Sequence, residues 1–224
     1  MTTWTYHIPV ATQRVGQTVK ATLNAWLVPQ RIRGALRMKQ HISVNGHQVP
    51  TSYVFQTGDV LALQFDAADF RTSTSNYQPN GQHTVPIIFE NDDIVVVSKP
   101  AGMKMHPHAP NETDTLLNYL AADFSARHCM SAGMPARPYM VHRIDRETSG
   151  AVIVAKNPVV VPLLNRQMVD KQIQRTYLAW VHGTLTDSAG MMTTPIGVDP
   201  LNPRKRLING LAAQAAKTHW TKIH

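Results

Sequence analysis

From Val141 to Gly150 the chain reads Val-His-Arg-Ile-Asp-Arg-Glu-Thr-Ser-Gly, with five ionisable side chains in the six positions His142 to Glu147. With a reference pKa of about 3.9, an aspartate such as Asp145 is ionised at neutral pH. An ionised carboxylate can serve as a nucleophile or as an electrostatic partner. Asp145 and Glu147 together could be read as a carboxylate pair that cleaves a glycosidic bond. Against that reading, the two are only two positions apart in one loop, with arginines on both sides. Charges held against an apolar core are costly unless paired, and chemistry concentrates on loops fixed by a rigid scaffold. On composition alone a solvated turn is the plain alternative.

The loop must be held by what flanks it. Ala151-Val-Ile-Val-Ala reads as a buried strand, and Pro86-Ile-Ile-Phe-Glu and Ile94-Val-Val-Val-Ser as two more, separated by a turn at Asn91-Asp92-Asp93. Thr115 to Phe124 has helical spacing, with Leu116, Leu117, Leu120 and Phe124 on one side, and Leu163 to Val169 reads as part of a helix. Tyr177-Leu-Ala-Trp-Val-His-Gly begins as an alternating strand, in which Tyr177 would be half-buried. Residues 66–84 are polar and turn-rich, a linker between segments 1–65 and 85–224. In the first segment, Val19, Leu23 and Leu27 predict a helix that Pro29 stops near Val28. A second helix over about 30–39 puts Ile32 and Leu36 inside and Arg33 and Arg37 together on another face. Two short strands around Asn45-Gly46 and a last strand, Val60 to Phe65, complete the unit.

His142-Arg-Ile-Asp-Arg-Glu-Thr-Ser-Gly150 resembles the H-R-L-D-x-x-T-S-G signature of the RluA-type RNA pseudouridine synthases. Three further stretches resemble that family in the same order: Lys99-Pro-Ala-Gly102 followed by His106-Pro107, then Ala155-Lys156-Asn157, then Arg175-Thr-Tyr-Leu-Ala179 ending at Gly183. The basic N-terminal unit, with Val44-Asn45-Gly46 and Gly58-Asp59, resembles the small RNA-binding module shared with a ribosomal small-subunit protein. The resemblance implies an α+β fold: a small basic helix–strand module, then a mixed, mainly antiparallel sheet flanked by helices. It implies conversion of uridine to pseudouridine with Asp145 as the catalytic aspartate. It further implies that Arg143 fills the stack left by a flipped nucleotide and that Tyr177 packs on the flipped uracil. Lys99 and His106 fall on a loop facing the site, where phosphate contact and loop packing are equally open; His142 is a further RNA-contact candidate. The family's Thr-Gly-Arg-x-His-Gln segment, whose arginine pairs with the aspartate, has no counterpart here. Arg204, Lys205 and Arg206 do not stand in a matching context, so Asp145 is expected to lack that partner.

Charge points the same way. The 224 residues hold 22 Lys and Arg against 14 Asp and Glu, a formal +8. Residues 1–65 contain six of the bases and a single acid, Asp59, and so carry a net +5. Such a segment suits a polyanion such as RNA, although solubility explains the charge equally well. Phosphate contacts are expected from the second helix, chiefly Arg33 and Arg37, with Arg31 and Lys39 beside them. The partner expected is RNA, ribosomal first and transfer RNA second, with neither DNA nor a membrane, and the chain is expected to act as a monomer. One cysteine, Cys129, offers no disulfide framework and fits a cytoplasmic protein. His106, His108 and Cys129 match no zinc spacing, and uridine isomerisation gains or loses no electrons, so neither metal nor organic cofactor is expected. A non-catalytic RNA-binding protein built on the same module is the rival reading.

Overall fold

The computed structural model describes residues 2–71 and 75–223; Thr72, Ser73 and Thr74, inside the expected linker, lie outside the described residues. The chain forms two compact units, Met1–Gln174 and Arg175–His224.

The first unit opens with β1 (Thr3–Pro9), followed by α1 (Val19–Ala25), α2 (Gln30–Met38), β2 (Ile42–Val44), β3 (His47–Gln48) and β4 (Val60–Asp66). These strands form one antiparallel sheet in the order β1-β4-β2-β3. Thr18 caps α1, its Oγ1 accepting the Ala21 N–H at 3.1 Å. The helix ends at Ala25, earlier than its apolar spacing suggests. Leu27 has φ 61° and stands outside the buried stripe, while Val28 takes the buried place. The residue before Pro29 avoids helical geometry, so the chain must turn here before α2 can begin. On α2, Ile32 and Leu36 are buried as their spacing predicts. Asn45 and Gly46, at φ 52° and 83°, make the tight β2–β3 turn. β1 has no counterpart among the elements expected from the sequence, yet it pairs along its whole length with β4 and buries Trp4.

A second antiparallel sheet follows, built from β5 (Ile87–Glu90), β6 (Ile94–Lys99), β9 (Tyr139–Met140) and β10 (Gly150–Ala155) in the order β5-β6-β10-β9. Between β6 and β9 come α3 (Leu116–Ala126) and a small hairpin, β7 (Met130–Ser131) and β8 (Met134–Pro135); α4 (Val161–Val169) follows β10. Leu116, Leu117, Leu120 and Phe124 of α3 pack with Val95 and Val97 of β6 and Val152 and Val154 of β10. Residues 75–80 are strapped to this layer: Ser75 Oγ donates to Pro138 O at 2.6 Å and Asn118 Nδ2 to Gln78 O at 2.7 Å.

Asn157 joins the two sheets. Its Nδ2 lies 2.9 Å from Tyr6 Oη, 3.0 Å from Asp93 Oδ1 and 2.7 Å from Ser131 Oγ. Its Oδ1 accepts the Val159 N–H at 2.8 Å. Tyr6 Oη donates to Asp93 at 2.5 Å; burial and that carboxylate hold the phenol well above its ordinary pKa. Val159 completes the N-terminal core.

The second unit holds β11 (Ala189–Met192), β12 (Ile196–Val198), β13 (Arg206–Ile208), β14 (Leu211–Gln214) and β15 (Thr218–Thr221). β12 is central to a three-stranded sheet, and β11 pairs with β15. The strand expected from Tyr177 is not formed: residues 175–181 lie outside any strand, with Tyr177, Leu178, Trp180 and Val181 exposed. Alternation supplies a preference, but a strand exists only where neighbouring backbone completes its ladder.

Asn157→Ala strips the Val159 N–H and Ser131 Oγ of this partner and leaves Asp93 Oδ1 with Tyr6 Oη. It should lower unfolding free energy by about 2 kcal/mol and speed hydrogen exchange in β1. A loss below about 0.5 kcal/mol in denaturant titration would mean that apolar packing, not this knot, joins the sheets.

Candidate active site

The Val141–Gly150 segment links β9, at the edge of the second sheet, to β10 inside it. Its apolar residues are its anchors: Val141 and Ile144 are buried, whereas Arg143, Asp145, Arg146 and Glu147 are exposed. Ile144 sits in the core under α3, so the residue following it, Asp145, is set on a fixed backbone at the surface. The Thr148 N–H donates to Asp145 O at 3.2 Å, closing a turn at the carboxylate.

A second loop clasps this one. The Gly102 N–H donates to Arg146 O and Arg146 Nε to Gly102 O, both at 2.9 Å. Gly102 has φ 83°, a conformation that a side chain strains. Beneath the clasp lies Lys99, the last residue of β6 and fully buried. Its ammonium donates to Pro100 O at 2.9 Å, Met103 O at 2.8 Å and Arg146 O at 2.9 Å. All three N–H groups are therefore used within the fold, the arrangement that the loop-packing alternative describes. Burial lowers the Lys99 pKa, and the charges of Glu147 and Asp145 oppose that shift.

The next stretch of that loop is pinned as firmly. Glu112 pairs with Lys104 and accepts the His108 N–H at 2.6 Å. These bonds, the backbone one foremost, hold its pKa down at about 2. Met105 is buried, and the N–H groups of Leu116 and Leu117 donate to Lys104 O and Met105 O. His106 stacks edge-on against His108 with ring centroids 5.1 Å apart. Burial, then His108 and Arg143, lower its pKa against the opposing charge of Glu112, which favours the neutral imidazole.

His142 accepts the Ile153 N–H on Nε2 at 2.9 Å, tying the loop to β10. Arg146 Nε also lies 3.4 Å from Glu147 Oε1. Tyr177 belongs to the second unit, where it is 56% exposed. The structure therefore sets Lys99 beneath the loop that carries His142, Arg143 and Asp145 and places Tyr177 in the other unit. Glu112 and Asn157 escaped sequence reasoning as functional supports; Asn157 lay within a motif, while Glu112 has no local signal.

The N-terminal cations differ among themselves. Lys39 is paired with Asp66 at 2.7 Å and Asp69 at 2.6 Å, which raises its pKa. Arg33 is half-buried and donates to Asn24 Oδ1; Arg31 is exposed and reaches Ala68 O at 3.4 Å. Arg37 is exposed beside a shallow 380 Å³ depression shared with Gln40, Gln48 and Thr51.

Lys99→Met removes the donor for three carbonyls while keeping an apolar stem. It should cost about 2–4 kcal/mol and raise exchange at the Gly102 amide. Unchanged protection there would mean that Gly102 and Arg146 hold the clasp without the ammonium.

The family described as RNA pseudouridylate synthase matches residues 93–224. The RluD ribosomal pseudouridine synthase N-terminal domain matches residues 6–61. Among curated proteins, the uncharacterized RNA pseudouridine synthase YlyB of Bacillus subtilis is 33% identical over 190 residues, 84% of this chain and 59% of that protein. YhcT of the same organism, named in the same way, is 30% identical over 181 residues, 81% of this chain and 56% of that protein. Ribosomal large subunit pseudouridine synthase D of Neisseria meningitidis serogroup B is 39% identical over 133 residues, 59% of this chain and 34% of that protein. The chain thus spans a little over half the length of the two Bacillus proteins. The solved structure of human RNA pseudouridylate synthase domain containing 1 aligns at a TM-score of 0.48 with 21% identity, covering 63% of this chain and 53% of that one. The match over residues 93–224 spans the clasped loop and more than half of the sequence, and the chain belongs to the RNA pseudouridylate synthase family.

Proposed function

We propose that this protein isomerises uridine to pseudouridine in structured RNA, with ribosomal RNA the first candidate, and that Asp145 is its catalytic carboxylate. The observation that carries the reading is the placement of Asp145: an exposed carboxylate on a backbone anchored by Ile144 below and by the Gly102–Arg146 clasp beside it. Preorganisation of this kind is what a catalytic group needs, since small misplacements are costly to rate.

In the reaction the bond from sugar C1′ to uracil N1 breaks, the base turns, and C1′ bonds to C5. The C5 proton leaves to solvent and N1 ends protonated, so composition and oxidation state are unchanged. Asp145 supplies the ionised oxygen that attacks the sugar or the base, or stabilises the charge that develops. Arg143, exposed and two residues before it, has the planar guanidinium that can stack in place of a flipped nucleotide. Tyr177 is proposed to pack on the flipped uracil, with its hydroxyl near C5. Lys99 and His142 are proposed as positioning groups, because the ammonium holds carbonyls of the two clasped loops and the imidazole accepts the Ile153 N–H. Arg31, Arg33, Arg37 and Lys39 are proposed to contact phosphates. Arg37 is the foremost of them, and Lys39 is the one whose charge is already matched by acids.

Release of tritium from C5-labelled uridine in RNA reports the reaction directly. Asp145→Asn keeps volume and should abolish release while preserving fold and RNA affinity. Residual release above a tenth of the parent rate would assign catalysis elsewhere. RNA binding with no release from the parent protein at all would favour the non-catalytic RNA-binding reading. Separately, Arg33→Ala with Arg37→Ala should weaken RNA binding and reduce the log–log salt slope by roughly 0.7–0.9 for each phosphate that the pair neutralises. An unchanged slope would remove α2 from the interface.

A further inference from the structure

The hairpin between β12 and β13 carries Asp199-Pro-Leu-Asn-Pro-Arg-Lys205 ahead of Arg206, which pairs with Val198. The loop is stiff for its length. Asp199 Oδ1 accepts the N–H of Leu201 at 2.8 Å and of Asn202 at 3.3 Å, and Asn202 Oδ1 accepts that of Arg204 at 3.2 Å. The Lys205 N–H donates to Asn202 O at 2.8 Å and the Asp199 N–H to Lys205 O at 3.2 Å. Pro200 and Pro203 each fix one φ angle.

This wiring spends the loop's one carboxylate on its own backbone. Arg204, Lys205 and Arg206 are all exposed, and among the described residues none of them forms an ion pair. At the tip Leu201 is 94% exposed. Residues 175–224 hold six Lys or Arg against two Asp, a net +4, so this part of the matched region is basic in its own right. A rigid loop offering three adjacent cations beside an apolar tip suits a polyanion with exposed bases, because little ordering entropy remains to be lost on binding. An acidic protein surface matches the charges but leaves the leucine without a base face to cover.

We propose that the 199–206 loop is a second RNA-contact surface, with Arg204, Lys205 and Arg206 on phosphates and Leu201 against an unstacked base. The proposal rests on the RNA reading above and adds a surface separate in sequence from the N-terminal module. It predicts two separable effects. The cations set the salt dependence, and the leucine contributes affinity that salt does not change.

The test is a fluorescence titration of the whole chain with a labelled RNA stem-loop at several salt concentrations. Arg204→Ala, Lys205→Ala and Arg206→Ala combined should lower the slope by about 2, three phosphates at roughly 0.7 each for single strands. Leu201→Ser should weaken binding several-fold at every salt concentration with the slope unchanged. Arg204→Lys with Arg206→Lys keeps the charges and should retain the parent slope. A circular-dichroism melt reports whether each variant is folded. A parent chain that fails to bind the RNA overturns the RNA reading and this surface together. A parent slope that falls with Arg33→Ala and Arg37→Ala but survives the triple change overturns this surface alone. An equal loss of affinity for poly-glutamate in the triple variant would make the loop an unselective cationic patch, and would also overturn the proposal.

Discussion

One buried ammonium organises the site. Lys99 ends a core strand where the chain leaves the sheet, and its three N–H groups each need an acceptor once water is gone. The acceptors are carbonyls of two different loops, Pro100 and Met103 on one side and Arg146 on the other. A cation satisfied in this way cannot move without stranding both itself and its carbonyls. The Asp145 loop is consequently held next to the loop of Gly102, His106 and Glu112, although Gly102 and Arg146 are 44 residues apart along the chain.

Around that point the fold repeats one tactic, which is to bury a polar group against acceptors or donors from separate elements. Asn157 does so between the two sheets, with its partners on β1, on the β5–β6 turn and on β7. Lys156 does so beside it, donating to Glu90 Oε1 and Asn91 O at 2.9 Å each. Apolar packing alone permits neighbouring registers, whereas a hydrogen-bonded knot permits one. The Asp145 loop on such a frame is positioned by distant elements as much as by its own sequence.

Charge is distributed with similar economy. Acids near the N-terminal helices, Asp66 and Asp69, neutralise Lys39, while Arg37 stays open. In the β12–β13 loop the carboxylate caps backbone amides and the cations face outward. The number of basic residues in a segment therefore overstates its free positive surface, and pairing decides which of them can meet a phosphate.

Much was legible in the sequence because local physics fixes it. Apolar spacing placed α2 and α3, Asn45-Gly46 placed the first hairpin, and unbroken valine and isoleucine runs placed β6 and β10. The residues of the Asp145 loop carried the family together with three further stretches in the same order and the N-terminal module. Tertiary structure decided what depends on a remote partner. Lys99 is a cation by type, but only burial against two loops directs it to carbonyls rather than outward. Tyr177 lies in a segment patterned like a strand, yet no ladder closes on it. Tyr6 and Asn157 are 151 residues apart and meet only in the folded chain. Periodicity reports which face of an element is apolar, whereas the fate of a donor, a charge or a strand edge is set by whichever distant group arrives to satisfy it.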